Sequence, residues 1–233
     1  MVDIISILKQ LNGYWKYQPG QQYLAKLTSG KISDTFLNTG VLTSYPEYLY
    51  EIIGDYKFDF NNKRPNVICG PALGGITLAY EIAIAFGARM IFTEPTYRVD
   101  NTPVILNGVG EIIQKVEKHG QELSRFSITP DDRILFVEDV ITTGKSTLEM
   151  INAVLGQSIS HSTLSEFIPQ VFCLINRSNL KEINVGSNII FKIRSVAEVQ
   201  SRTWNTLDEA KQALPGVVDA LRPKANWERL TKG

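Results

Sequence analysis

One segment governs what this chain can become. At residues 133–147 the sequence RILFVEDVITTGKST runs from a continuous apolar stretch through two acids into a turn rich in hydroxyls and glycine, then into a helix. Residues 134–137 are the short unbroken apolar run of a parallel strand buried on both faces, and residues 148–155 repeat apolar side chains at helical spacing. The turn between them therefore opens a helix, where unpaired backbone N–H groups gather at the positive end of the helix dipole. The amides of Thr143, Gly144, Lys145 and Ser146 converge there with the hydroxyls of Thr142, Thr143, Ser146 and Thr147, a constellation that suits an anion of phosphate size. A helix cap alone uses one or two such residues.

Glu138 and Asp139 add what a plain phosphate loop lacks. Carboxylates at a strand's C-terminal end accept hydrogen bonds from vicinal hydroxyls or approach a magnesium ion through water. That combination favours a phosphorylated sugar. The Gly-Lys-Ser-Thr ending is shared with the Walker A loop, but that loop needs a glycine five residues before its Gly-Lys pair. Position 139 is Asp, which excludes the nucleoside triphosphatase reading.

Three further segments carry related chemistry. Val67, Ile68 and Cys69 read as a second buried strand, Gly70 and Pro71 turn the chain, and Gly74 and Gly75 let a ligand meet bare backbone amides, as a diphosphate requires. A helix over residues 77–86 and a strand over 89–92 complete a βαβ unit. Residues 27–38, LTSGKISDTFLN, have the period of an irregular hairpin turning at Ser29 and Gly30, with Phe36 and Leu37 able to cover a flat ring. Arg177 ends an apolar strand over 171–177, where its guanidinium can pair bidentately with a carboxylate.

These four segments, in their order along the chain, resemble the type I phosphoribosyltransferases, and most closely orotate phosphoribosyltransferase. VEDVITTGKST is similar to the family's signature for 5-phosphoribosyl pyrophosphate (PRPP), and the Leu-x-Ser-Gly-x-x-Ser-x-x-Phe-x-Asn pattern at 27–38 resembles a segment typical of the orotate enzymes. The resemblance spans about residues 24–178. It implies an α/β fold with a mainly parallel sheet flanked by helices and a small hood from the N-terminal segment. It also implies transfer of the 5-phosphoribosyl group from PRPP to orotate, giving orotidine 5′-monophosphate and pyrophosphate in pyrimidine biosynthesis. By the same resemblance Glu138, Asp139, Val140, Ile141, Thr142, Thr143, Gly144, Lys145 and Ser146 bind PRPP. Leu73, Gly74 and Gly75 receive its diphosphate and Lys31 adds positive charge. Phe36, Leu37, Thr142 and Arg177 meet orotate. Catalytic roles fall to Glu138 and Asp139 and to Lys115, Lys118 and His119 of a mobile basic loop. Mg²⁺ arrives with PRPP, and a homodimer is expected.

The basic loop departs from the family pattern. Orotate enzymes often carry Arg-Lys-x-x-Lys-x-His-Gly or a Leu-Arg-Arg-Gly variant; here Lys115 and Lys118 keep the spacing of the first with His119 one position early, and residues 104–108, VILNG, are the alternative counterpart of the second, with both arginines missing. A solvated helix from about Glu111, with Ile112, Ile113 and Val116 facing inward, is the competing expectation for this stretch. Two rival functions follow: a phosphoribosyltransferase for another base, and a regulatory protein that binds PRPP without turnover.

Bulk properties fit an ordinary enzyme. With 233 residues, 43% hydrophobic content and 24 basic against 24 acidic side chains, the chain is expected to form one globular domain. Its expected parts are a hood and hairpin at about 1–45, a core at 62–194 and a C-terminal extension at 195–233. Helices are expected at 2–11 and 46–58, and residues 156–166 read as a surface loop. Balanced charge without a basic run argues against nucleic-acid and membrane surfaces. The lack of an apolar stretch near ~18 residues and of a charged-then-apolar leader points to the cytoplasm. Cys69 and Cys173 lie in expected strands without metal or redox spacing.

Overall fold

Parallel strands need long crossovers and bury both faces, so the unbroken apolar runs of this chain fall in the middle of its main sheet. The computed structural model describes residues 2–27, 30–60, 63–99, 105–106, 112–113, 116–160, 166–186 and 189–232. The chain forms two compact units, Met1–Tyr56 with Val196–Gly233, and Lys57–Ser195.

The first unit begins with α1 (Ile4–Gln10), capped by the Asp3 carboxylate, which accepts from the amides of Ile5 and Ser6. Strands β1 (Tyr14–Lys16), β2 (Tyr23–Lys26), β3 (Ile32–Ser33) and β4 (Thr35–Leu37) follow, then α2 (Thr39–Thr43) and α3 (Pro46–Asp55). β2 and β3 make the expected hairpin. Its turn is tied by Leu27 N–H to the Lys31 carbonyl, 2.8 Å, and Gly30 takes φ +85°, a left-handed conformation that glycine adopts without penalty.

The second unit holds β5 (Val67–Pro71), α4 (Gly74–Phe86), β6 (Arg89–Val99), the two-residue strands β7 (Ile105–Leu106) and β8 (Ile112–Ile113), β9 (Val116–Glu122), β10 (Arg133–Ile141), α5 (Lys145–Ser160), β11 (Glu166–Asn176), β12 (Glu182–Asn184) and β13 (Ile190–Glu198). Seven strands form one sheet in the order β12-β13-β11-β10-β5-β6-β9. β11, β10, β5 and β6 pair in parallel, with antiparallel pairs β6–β9 and β12–β13 at the two edges. Ile68, Cys69, Leu135, Phe136, Val137, Leu174 and Ile175 are entirely buried in these central strands. Each such side chain contributes about 1.5–3 kcal/mol by leaving water. Phe136 stacks on Phe167 at 5.9 Å and meets Phe191 edge-on at 5.5 Å. Burial pushes the Cys69 thiol far above its ordinary range, which keeps it protonated and inert.

The remaining elements, β14 (Thr203–Trp204), α6 (Leu207–Ala213), β15 (Asp219–Leu221) and α7 (Trp227–Lys232), belong to the first unit. β14 pairs with β3 and β15 with β2, giving a sheet in the order β14-β3-β2-β15. Ala210, Val217 and Leu230 pack with Trp15, Leu24 and Ile32. Of residues 195–233, which the sequence leaves unassigned, the first four finish β13 and those from Trp204 to Leu230 supply the side chains that close the core of the N-terminal hairpin.

Two expectations are corrected. Residues 156–160 continue α5 rather than opening a loop, because Ser158 is buried and Gln157 donates to the carbonyls of Leu123 and Phe126, both at 3.2 Å. The stretch after Val116 is strand, not helix: β6 runs on to Val99 and offers an edge that β9 pairs. No helix among the described residues is long and apolar enough to cross a membrane.

Candidate active site

β10 delivers the acids and the hydroxyl-rich turn to one place. It ends at Ile141, residues 142–144 turn, and α5 starts at Lys145. Gly144 has φ +74°, a left-handed conformation that favours glycine; a Cβ there would stand 2.9 Å from Ile183 Cδ1, the movable end of that side chain, so the requirement is conformational more than steric. Around the turn lies a cavity of about 250 Å³, lined by Lys118, Glu138, residues 140–147 and Glu149. The 16-residue helix aims its N-terminus there.

Glu138 is only 6% exposed and accepts from the Thr147 hydroxyl at 3.2 Å. Burial raises its pKa well above the ordinary carboxylate value, the charge of and hydrogen bond with Asp139 push the same way, and Thr147 and Lys118 oppose them more weakly. Glu138 therefore keeps a proton where a surface glutamate has lost it. Asp139 reaches across to the turn that follows the neighbouring strand β5. A Cβ on Gly74 would stand 2.6 Å from Asp139 Oδ2, so the carboxylate lies directly on bare backbone at the start of α4.

That start is the expected diphosphate turn. β5 and β10 are parallel neighbours, so the turns that follow them share the C-terminal edge of the sheet. Gly70 and Gly75 have no room for a side chain: a Cβ on Gly70 would meet the Gly75 carbonyl oxygen at 2.4 Å, and one on Gly75 would meet Pro71 Cδ at 2.4 Å. The Ala72 amide donates to the Thr93 carbonyl at 2.8 Å, Leu73 is 84% exposed, and the Ala72–Leu73 peptide is cis. Arg177 follows β11 at the same edge, its amide donating to the Ile141 carbonyl at 2.9 Å and its side chain buried.

The basic stretch divides. Lys118 pairs with Tyr97 across the β6–β9 ladder and Gly120 pairs with Thr96, which leaves His119 as a bulged residue between them. The bulge shifts the alternation of faces. Lys118 opposite Tyr97 and Gln121 opposite Pro95 consequently share one face, while His119 is exposed and does not line the cavity. Lys118 Nζ lies 3.4 Å from Glu149 Oε2, and Lys145 Nζ lies 3.7 Å from Glu149 Oε1. Lys115 lies outside the described residues. Lys31, Phe36 and Leu37 stand in the first unit, where Lys31 is exposed and Phe36 packs on Trp227 at 6.1 Å.

Two lining or supporting residues escaped the sequence. Glu149 was legible as the i+4 partner of Lys145 on one helix face. Gln121 was not: its Nε2 donates to Ser146 Oγ at 2.8 Å, a contact that depends on the bulge.

The phosphoribosyl transferase domain family matches residues 43–161, just over half of the chain. The chain belongs to that family. Among curated relatives, the orotate phosphoribosyltransferase of Caldanaerobacter subterraneus subsp. tengcongensis is 35% identical over 141 residues. That match covers 59% of this chain and slightly under two thirds, 64%, of the relative. The orotate phosphoribosyltransferase of Desulforamulus reducens is 32% identical over 200 residues, covering 84% of this chain and 87% of the relative. Among solved structures, the orotate phosphoribosyltransferase of Aeropyrum pernix matches with a TM-score of 0.53 at 16% identity, over 91% of this chain and 97% of that one. The adenine phosphoribosyltransferase of Leishmania donovani reaches 0.52 at 15% identity, over 84% and 80%. An orotate and an adenine enzyme thus share this fold to the same degree, so the fold does not select the base.

Proposed function

We propose that the protein transfers the 5-phosphoribosyl group from PRPP to orotate, giving orotidine 5′-monophosphate and pyrophosphate. The observation that carries the phosphoribosyl part is the shared sheet edge, where a cavity roomy enough for a phosphate, two adjacent carboxyl groups and a turn of bare amides stand at the ends of neighbouring parallel strands. Orotate is favoured as acceptor by the similarity to orotate enzymes along most of the chain.

Residues 142–146 hold the 5′-phosphate through amides and hydroxyls. Glu138 and Asp139 hold the ribose 2′- and 3′-hydroxyls, with the protonated Glu138 able to donate as well as accept. The amides of Leu73, Gly74 and Gly75 receive the diphosphate. The N1 nitrogen of orotate bonds to C1′ and gives up its proton, to the departing pyrophosphate or to water, while the bond from C1′ to the diphosphate oxygen breaks and pyrophosphate leaves with that electron pair. The carboxylate of Asp139 favours the positive charge that develops on the sugar, and Lys118 contributes a cation beside the phosphate. Thr142, Arg177, Phe36 and Leu37 are assigned to orotate on resemblance, Arg177 through its capacity for a carboxylate.

Among the described residues no group of three acidic, histidine or cysteine side chains comes together to hold a metal. The carboxylate oxygens of Asp139, the less buried of the two acids, nevertheless suit Mg²⁺ carried in by PRPP, while Glu138, holding its proton, is left to the ribose hydroxyls. Bound there, the ion would neutralise the departing pyrophosphate. The working form is taken to be a cytoplasmic homodimer.

Pyrophosphate release with PRPP, Mg²⁺ and orotate, uracil, hypoxanthine or adenine tests the assignment. Release with orotate alone is expected. Release with a purine instead would move the protein to another base, and PRPP binding without release for any base would make it a regulatory binder.

A further inference from the structure

Gln121 is the side chain at this site for which the transfer reaction has no direct use. Its Nε2 donates to Ser146 Oγ at 2.8 Å and to the Ser146 carbonyl at 3.2 Å, and its Oε1 accepts from the Thr93 hydroxyl. The direction of the amide is fixed by chemistry, since a backbone carbonyl can only accept and so must face the NH₂ end. Thr93 is fully buried and its own carbonyl receives the Ala72 amide, so the far end of Gln121 rests on a buried hydroxyl whose own backbone is tied down. A hydroxyl has one proton to give. Because Gln121 occupies an acceptor site on Ser146 Oγ, that proton is left for the cavity that Ser146 lines.

Resting on the phosphoribosyl reading of this cavity, we propose that Gln121 is a positioning residue for the 5′-phosphate, holding the Ser146 hydroxyl as a donor toward it. The amide type matters to this role. A carboxylate at the same place would accept the serine proton and withdraw it from the ligand.

Binding of ribose 5-phosphate, measured by calorimetry on the whole protein, tests this without requiring turnover. Gln121→Met is expected to weaken binding about tenfold, the usual effect of one hydrogen bond to a charged group, and to raise the KM for PRPP while that for orotate stays. In a Ser146→Ala background the same substitution should add little. An equal loss in both backgrounds, or wild-type affinity in Gln121→Met, overturns the proposal. Gln121→Glu gives an isosteric second variant should the first fail to fold. Its deficit relative to wild type should shrink as pH falls and the new carboxyl regains a proton, and a pH-independent deficit counts against the role. If the wild-type protein itself fails to bind ribose 5-phosphate, the phosphoribosyl reading falls and takes this proposal with it.

Discussion

Gly74→Ala separates the site from the fold more cleanly than any other substitution. The new methyl group would stand 2.6 Å from Asp139 Oδ2 and 2.7 Å from Oδ1, whereas ordinary contact begins at 3.4 Å. The Asp139 carboxylate must therefore recede by about 0.8 Å, or the start of α4 must move by as much. Gly74 is solvent-exposed in the first turn of a 13-residue helix, where alanine is favoured over glycine by up to about 1 kcal/mol. Helix propensity thus offsets much of the local repulsion, and the change in stability should stay within about 1 kcal/mol. Catalysis is less forgiving, because a displacement near 1 Å in a charge-placing group costs on the order of 100-fold in rate. The assay is steady-state orotidine 5′-monophosphate formation at saturating PRPP, paired with urea unfolding of the same preparation. Undiminished turnover in a protein whose stability is unchanged would refute the placement of Asp139 at the reacting carbon.

Two other substitutions probe the neighbourhood. Gly70→Ala drives a methyl group to 2.4 Å from the Gly75 carbonyl oxygen, a backbone atom that cannot swing away, so a loss of about 3 kcal/mol in urea unfolding is expected; near-native stability would mean the turn is looser than drawn. Glu138→Gln mimics the protonated carboxyl. Because the folded-state pKa of Glu138 is raised, its favourable contribution is complete below the unfolded-state value near 4.5 and fades as pH climbs through the folded-state value. Thermal midpoints of E138Q should accordingly gain on the wild type from about pH 4.5 upward, and parallel curves would contradict the burial argument.

How far the sequence could be read depended on how local each signal was. The 133–147 segment announced its strand, turn and helix because periodicity and turn chemistry are properties of consecutive residues, and the structure places all of Thr142, Thr143, Gly144, Lys145 and Ser146 around one cavity. The glycines at 70, 74 and 75 were legible for the same reason. The exposed position of His119 was not legible because the unpaired residue that breaks the alternation of β9 is decided by its partner strand, 20 or so residues earlier, and leaves no local mark. Residues 195–233 stayed opaque for an allied cause: β14 and β15 are two and three residues long, and only their pairing with β3 and β2 makes them strands.

Neighbouring rungs of the sheet have a further bearing on ligand choice. The two turns assigned to the anions in the proposed reading follow β5 and β10, adjacent strands that a backbone ladder holds about 4.8 Å apart, so main chain anchors both of them. The protein owns a ruler made of main chain. On that reading, selectivity for the spacing between a ligand's charged ends should survive side-chain mutations that abolish turnover.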